Sequence, residues 1–398
     1  MQLTVRALLV LLALSLGYAL AQDRITVWTH FGDAEMAFLE EQAQSFEEAT
    51  GVSVTIVEMP FGDILENFVL AAPEGEAADL LVTVPHDWIG ELAAAGVLEP
   101  MDRHVDAAML EDWQESAVLA YSYQGRLFGL PMSAESLALI YNRELVETAP
   151  QTWDELMAIA EEQMEMGNFG LLYNYAEPFF NAGWFHAFGA EVFAADEEGA
   201  LDPTDIRLGG EPGYQAAQFV QDVRWTYNLV PEGVDYDVAN SAFLDGVLAM
   251  IINGPWALGD YRAADIDFGL ATVPAPPGAP HEWKPFIGVH GVGVNAYSPS
   301  EQRDVAIAFA EQLAGAEGQF AFNRASGRIP VSEAALAELV DDEVVQGFSE
   351  VIEVGIPMPN IPEMGRVWGP WADALELVGQ SPDVDVEATI DDMMDQLQ

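Results

Sequence analysis
The chain has 398 residues, no cysteine, and 66 Asp plus Glu against 13 Lys plus Arg, for a formal net charge of -53. Disulfides, thiolate metal centres and catalytic thiols are therefore excluded, and a nucleic-acid backbone or an anionic membrane surface would be repelled. With 51% hydrophobic and 10% aromatic residues the chain is still too apolar to be disordered, and its length favours two or more domains of the usual ~150 residues.

The first 21 residues read as a signal peptide. Arg6 is the single charge before the apolar run Ala7 to Leu16, and Ala19-Leu20-Ala21 has the small, apolar, small pattern that a signal peptidase cleaves. The run is shorter than the ~20 residues a membrane-spanning helix needs. With no cysteine to carry a lipid, the mature protein is expected to be free in the periplasm.

From Ile25 to Thr29 the pattern predicts a strand, followed by a helix with Leu39, Ala43 and Phe46 at helical spacing and Gly51 as its left-handed cap. Val52, Val54 and Ile56 alternate as a strand, Ile64 to Ala72 is helical, Leu80 to Val84 is an apolar strand, and Asp87 to Ala95 is helical. Such alternation predicts a mainly parallel sheet covered by helices. A second α/β region starts near Glu135: Thr152 and Glu155 form a capping box for a helix to Met166, Phe169 to Tyr173 is a strand, and Ala216, Val220 and Val223 mark a helical core face. Val247 to Ile252 and Phe268 to Val273 read as buried strands, Pro274 to Pro280 as a loop, Gly288 to Tyr297 as a strand and Glu301 to Leu313 as a helix. From Ser332 onward the pattern is almost entirely helical.

Enzyme signatures are missing: no Walker-type loop, no G-x-S-x-G elbow, no H-E-x-x-H, and Gly288, Gly291 and Gly293 lack the spacing of a dinucleotide fingerprint. The six histidines are scattered without ligand spacing, so neither a metal nor a cofactor is expected. Aromatic residues do recur beside carboxylates or after turn residues, in what read as loops at strand ends. Trp88 follows Asp87, Phe179 and Phe180 follow Glu177-Pro178, and Trp256 follows Asn253-Gly254-Pro255. A sugar suits such pairs, because its ring face is an apolar C–H patch and its hydroxyls want fixed charged partners.

At these residues the chain resembles the maltose/maltodextrin-binding proteins of bacterial ABC importers, a branch of the extracellular solute-binding proteins. The resemblance rests on FEEATGVSVTI (46–56), PHDWIGELAAAGVLEP (85–100), ESLALIYNRELV (135–146), AMIINGPWA (249–257), KPFIGVHGVGVNAYSP (284–299) and PMPNIPEMGRVW (357–368). It implies an α/β, two-lobed periplasmic-binding-protein fold with discontinuous lobes and a hinge. The expected lobes are 22–134 with 288–338, and 135–287 with 339–398. Asp33, Asp87, Glu135 and Glu177 match the family's sugar-hydroxyl acceptors, Trp256 and Trp368 its stacking aromatics, and Trp88 and Phe179 stand where the best-studied branch has arginine and tyrosine. Ala34, Gly369 and Ala372 likewise replace donors, which changes the hydroxyls that can be read. Trp368, Trp371 and Leu375 share helical spacing; Trp371 is taken as core and Trp368 as site.

The resemblance implies an oligosaccharide ligand, a permease partner and a monomer with no catalytic residue. The alternatives are another oligosaccharide such as trehalose and, from a different class, a secreted glycosidase using Glu135 and Glu177 as its two carboxylates. A polyamine ligand is suggested by the charge alone, yet that charge is spread over the whole chain while the expected site is aromatic.

Only one of the 13 basic residues, Lys284, is a lysine. This skew matches a surface adapted to high salt. Raising NaCl from ~0.15 M to ~1 M shortens the Debye length from ~8 Å to ~3 Å and screens carboxylate repulsion. The melting temperature at pH 7 should therefore climb through a NaCl series; a flat or falling midpoint rejects the halophile expectation.

Overall fold
The computed structural model describes residues 24–196 and 199–398; the expected signal peptide lies outside the described residues. Two main sheets dominate. Across the first, the order is Ile329–Pro330, Leu130–Glu135, Phe286–Val294, Leu80–Pro85, Arg24–Thr29 and Ser53–Glu58. Arg24–Thr29 pairs in parallel with both of its neighbours, as the strand-helix alternation predicts, while Phe286–Val294 runs antiparallel to Leu80–Pro85 and Leu130–Glu135. Across the second, the order is Phe268–Ala271, Ala138–Asn142, Leu248–Asn253 and Phe169–Leu172. Each sheet has its own core: Val27, Leu39, Phe68 and Phe309 belong to one cluster, and Ile140, Trp184, Ile251 and Trp371 to the other.

Local signals explain most elements. Leu80–Pro85 is buried at every position, as a strand covered on both faces must be. The helix Asp33–Thr50 ends where Gly51 adopts φ 79° and its N–H reaches the Glu47 carbonyl. Thr152 caps the helix Trp153–Glu165 by accepting from the Glu155 N–H, although the Glu155 carboxylate returns to Gln151 and leaves the capping box half formed. Ala216, Val220 and Val223, all fully buried, line the helix Gly210–Trp225.

The chain crosses between the two cores three times. Leu130–Glu135 passes through Ser136 and Leu137 directly into Ala138–Asn142. The segment after Phe268–Ala271 returns to Phe286–Val294. After Ile329–Pro330, the helices Glu333–Glu338 and Glu343–Val354 lead to Ile356–Pro357, which pairs with Phe286 and Ile287. The crossings are laced together: Ser136 Oγ donates to the Phe286 carbonyl at 2.8 Å.

Leu130–Glu135 was hidden in the sequence by Pro131, which argues against a central strand. The structure tolerates Pro131 because the register breaks beside it, with Ser133 opposite His290 but Pro131 opposite Gly291. On the other side Val84 lies opposite Gly291 and Val82 opposite Val292, so Thr83 bulges out, with φ 66°. The strand expected from Gly288 to Tyr297 instead spans Phe286–Val294; Asn295 ends it by accepting from the Tyr297 N–H. Gly291 sits between the two irregular neighbours, and a Cβ there would lie 2.1 Å from the Leu130 carbonyl oxygen. Gly291→Ala should therefore destabilise the protein by ~1–3 kcal/mol through overpacking, read as a lower urea midpoint at unchanged slope; an unchanged midpoint would show that the crossing strand can yield.

Candidate functional site
The expected site residues gather where strands of the two sheets end. After Arg24–Thr29 come His30 and Asp33, and after Leu80–Pro85 the turn His86–Trp88. After Phe169–Leu172 comes Glu177, and after Leu248–Asn253 the turn Pro255–Ala257 with Trp256. Carboxyl ends of strands are the usual ligand position in such sheets, because helix N-termini and loops converge there. The aromatics expected in loops lie instead in first turns. Pro178 and Pro255 occupy early helical positions, where a missing N–H costs nothing, and start a helix and a 3-10 turn directly.

Trp368, on the helix Gly365–Gly379, spans the gap between the lobes: its Nε1 donates to Asp87 Oδ2 at 3.1 Å. Burial pushes the Asp87 carboxyl up to about 6, with the Trp368 N–H acting against the rise. Burial also pushes Glu177 up to about 7, opposed by the backbone N–H groups of Phe179 and Phe180 and assisted by the charge of Asp87. Glu177 caps its helix by accepting from the Phe180 N–H at 3.1 Å. Phe179, half-buried, has its ring 6.2 Å from both Trp256 and Phe286, and Phe286 is 6.0 Å from Trp368. These rings make a continuous aromatic wall. Behind it the fully buried Trp371 lies parallel to the half-buried Trp368 at 6.3 Å, so the shared helical spacing does not make both of them core.

Three expected residues have unexpected surroundings. Glu135 is buried with both oxygens occupied: Oε1 receives His290 Nε2 at 2.8 Å and Oε2 receives Arg328. Burial alone would raise its carboxyl, but His290 and Arg328 outweigh that and hold it at about 2. Trp88 is only 8% exposed, and Phe61 stacks on it at 5.0 Å with 29° between the planes. Asp33 is exposed in the first turn of its helix, beside the place where the lobes touch. There Gly259 leaves room for Ala34, whose Cβ would be 3.0 Å from a Cβ at Gly259. The segment after Ile356–Pro357 packs closely on Gly90, where a Cβ would lie 2.3 Å from the Asn360 carbonyl oxygen.

Sequence reasoning missed Glu35, Arg328, His290, His30 and Phe61. Arg328 Nε donates to Glu35 Oε1 at 2.6 Å, and its guanidinium carbon lies 5.5 Å from the Trp256 ring centre, which joins the ion network to the aromatic wall. Burial, together with the charges of His290 and Arg328, brings His30 down to about 3 and leaves it neutral. His86 Nδ1 accepts from the Val289 N–H at 3.0 Å, so its proton is on Nε2, which donates to the Met358 carbonyl at 2.9 Å. Histidines scattered in sequence thus converge in space. Among the described residues no group of three or more His, Cys, Asp or Glu is placed to hold a metal ion.

Similarity to known proteins follows the same outline. A maltotriose-binding protein from Pyrococcus abyssi is 30% identical over 92% of this chain and 80% of its own. A galactooligosaccharide-binding protein from Bacillus subtilis is 26% identical over 85% of this chain and 81% of its own. The solved structure of Thermus thermophilus maltotriose-binding protein bound with maltotriose superposes with a TM-score of 0.91 at 55% identity, covering 94% of this chain and 98% of that one. This likeness carries the two-lobed fold, and the bacterial extracellular solute-binding protein family matches residues 41–347. The chain is a member of the bacterial extracellular solute-binding proteins.

Proposed function
We propose that the protein captures maltose or a short maltodextrin between its lobes, without chemical change, and delivers it to the permease of an ABC importer. The observation that carries this reading is the aromatic wall of Phe179, Trp256 and Trp368 set beside the carboxyls of Asp87 and Glu177. Sugar ring faces fit the first and sugar hydroxyls the second. The maltotriose-binding relatives support the ligand class. The relative named for galactooligosaccharide keeps other linkages, trehalose included, within the reading.

In this scheme Asp33, Asp87 and Glu177 accept sugar hydroxyls, Phe179 adds apolar contact, Trp88 contributes little because Phe61 covers it, and Glu135 acts through Arg328 and His290. The lobes 22–134 with 288–338 and 135–287 with 339–398 close over the ligand by rotation at the crossings. A secreted monomer, free in the periplasm of an organism from a salty habitat, completes the proposal.

A glycosidase reading is opposed by Glu135, whose oxygens are both held by cations or N–H donors, leaving no free nucleophile beside Glu177. Incubation with maltotriose separates the two: intact sugar with measurable binding supports a carrier, a shortened product a hydrolase. Calorimetry on maltose, maltotriose, trehalose and cellobiose should give heat with the α-glucans, and Trp256→Ala should cost on the order of 1–3 kcal/mol of affinity by removing an apolar face. No heat with any α-glucan ends the maltodextrin reading.

Acidity supplies a further test. An ionised carboxylate accepts a hydroxyl proton more strongly than a neutral one, and Asp87 and Glu177 ionise near 6 and near 7. Affinity should therefore rise from pH 5 to pH 8, while Glu177→Gln should bind more weakly at pH 8 and show a flatter profile. A wild-type dissociation constant that does not move across this range would remove both groups as ionised acceptors.

A further inference from the structure
Phe61 opens the helix Phe61–Ala71, held at its first position by Pro60. It is 48% exposed, although a phenylalanine in a protein of this size usually buries most of its ring. Four large aromatics are exposed among the described residues, Phe61, Phe169, Trp225 and Tyr297, and only Phe61 has ring contacts with cleft residues. One face of the ring covers Trp88, and its edge meets the neutral His30 at 4.8 Å. Its other face is left to solvent.

The same contacts explain why Trp88 is a poor platform. At 8% exposure it has little area left to offer, so the aromatic surface that its sequence position promised is presented by the ring stacked on it. Phe61 also lies away from the buried hinge network. His290 is 6.3 Å from His30 and His30 is 4.8 Å from Phe61, and along that series the side chains go from buried through half-buried to exposed, so a sugar ring on Phe61 would sit further out than one held by the buried Asp87.

Resting on the proposed capture of an α-glucan, we infer that Phe61 is a stacking plane on the wall of the first lobe for a glucose unit beyond the first two. It selects trisaccharides and longer chains over disaccharides. Phe61 holds the extra unit by its apolar C–H face, so the contact is insensitive to the hydroxyl pattern.

The test is calorimetry of wild type, Phe61→Ala and Phe61→Trp with maltose and with maltotriose, alongside thermal melts. Phe61→Ala should weaken maltotriose roughly fivefold or more while leaving maltose within about twofold, and Phe61→Trp should restore or strengthen maltotriose binding, each fivefold step being near 1 kcal/mol. Equal weakening of both sugars would mean that Phe61 only supports Trp88, and no change in either would mean that it meets no ligand; both results overturn the inference. Wild-type protein that binds neither sugar overturns the capture reading itself and is distinguished by needing no variant.

Discussion
One guanidinium holds the hinge end of the cleft together. Arg328 is 3% exposed, and it bridges Glu35 from the first helix to Glu135 at the end of a crossing strand. A buried charge of this kind is tolerable only when its partners are complete, because removing one side of such a pair strands the other in a medium that solvates it poorly, at ~3–5 kcal/mol. His290 finishes the set on the far side of Glu135. The result is a rigid base for the aromatic wall, since Trp256 rests over the same guanidinium.

The strands that carry this network have a second face. Side chains alternate along a strand, so the row Ala134, Val289 and Ile329, paired across three strands, points away from Glu135 and His290. That row lines a cavity of about 510 Å³ together with Ala117, Leu336 and Ile352. The ribbon's own side chains thus put charge on the cleft side and apolar groups on the other, where Glu115, Glu333 and Glu353 complete the cavity's lining. Period-two alternation alone separates them, and no residue in the row had to be polar on both sides.

Local chemistry made most of the fold readable. Gly51 ended a helix, Thr152 began one, and the unbroken apolar run at Leu80 read as a covered strand, because each signal acts within a few residues. The wall residues were readable where an aromatic stood beside a turn, as at Phe179 and Trp256. The network was not readable. Arg328 meets Glu135 across 193 positions and Glu35 across 293, and nothing near any of them in sequence announces the partner. Glu135 therefore looked like a free acceptor. Phe61 was passed over because the amphipathic pattern of its helix starts only at Ile64, one turn later. Pro131 concealed a central strand because the register irregularity that accommodates it, with Met132 as the extra residue beside it, leaves no mark in the local sequence.

The ties among the three crossings bear on how such a molecule can move. Ser136 is fastened to the Phe286 carbonyl, Ile356–Pro357 is paired with Phe286 and Ile287, and the imidazole of His86 grips Val289 with one nitrogen and Met358 with the other. Sliding any crossing past another would break at least one of these bonds, whereas flexing all three together breaks none. The segments therefore behave as a laminated strap and not as three independent strings. A strap bends easily about the axis across its width and resists twist and shear, so the closure proposed above would follow one coordinate and bring the two lobes back to the same register.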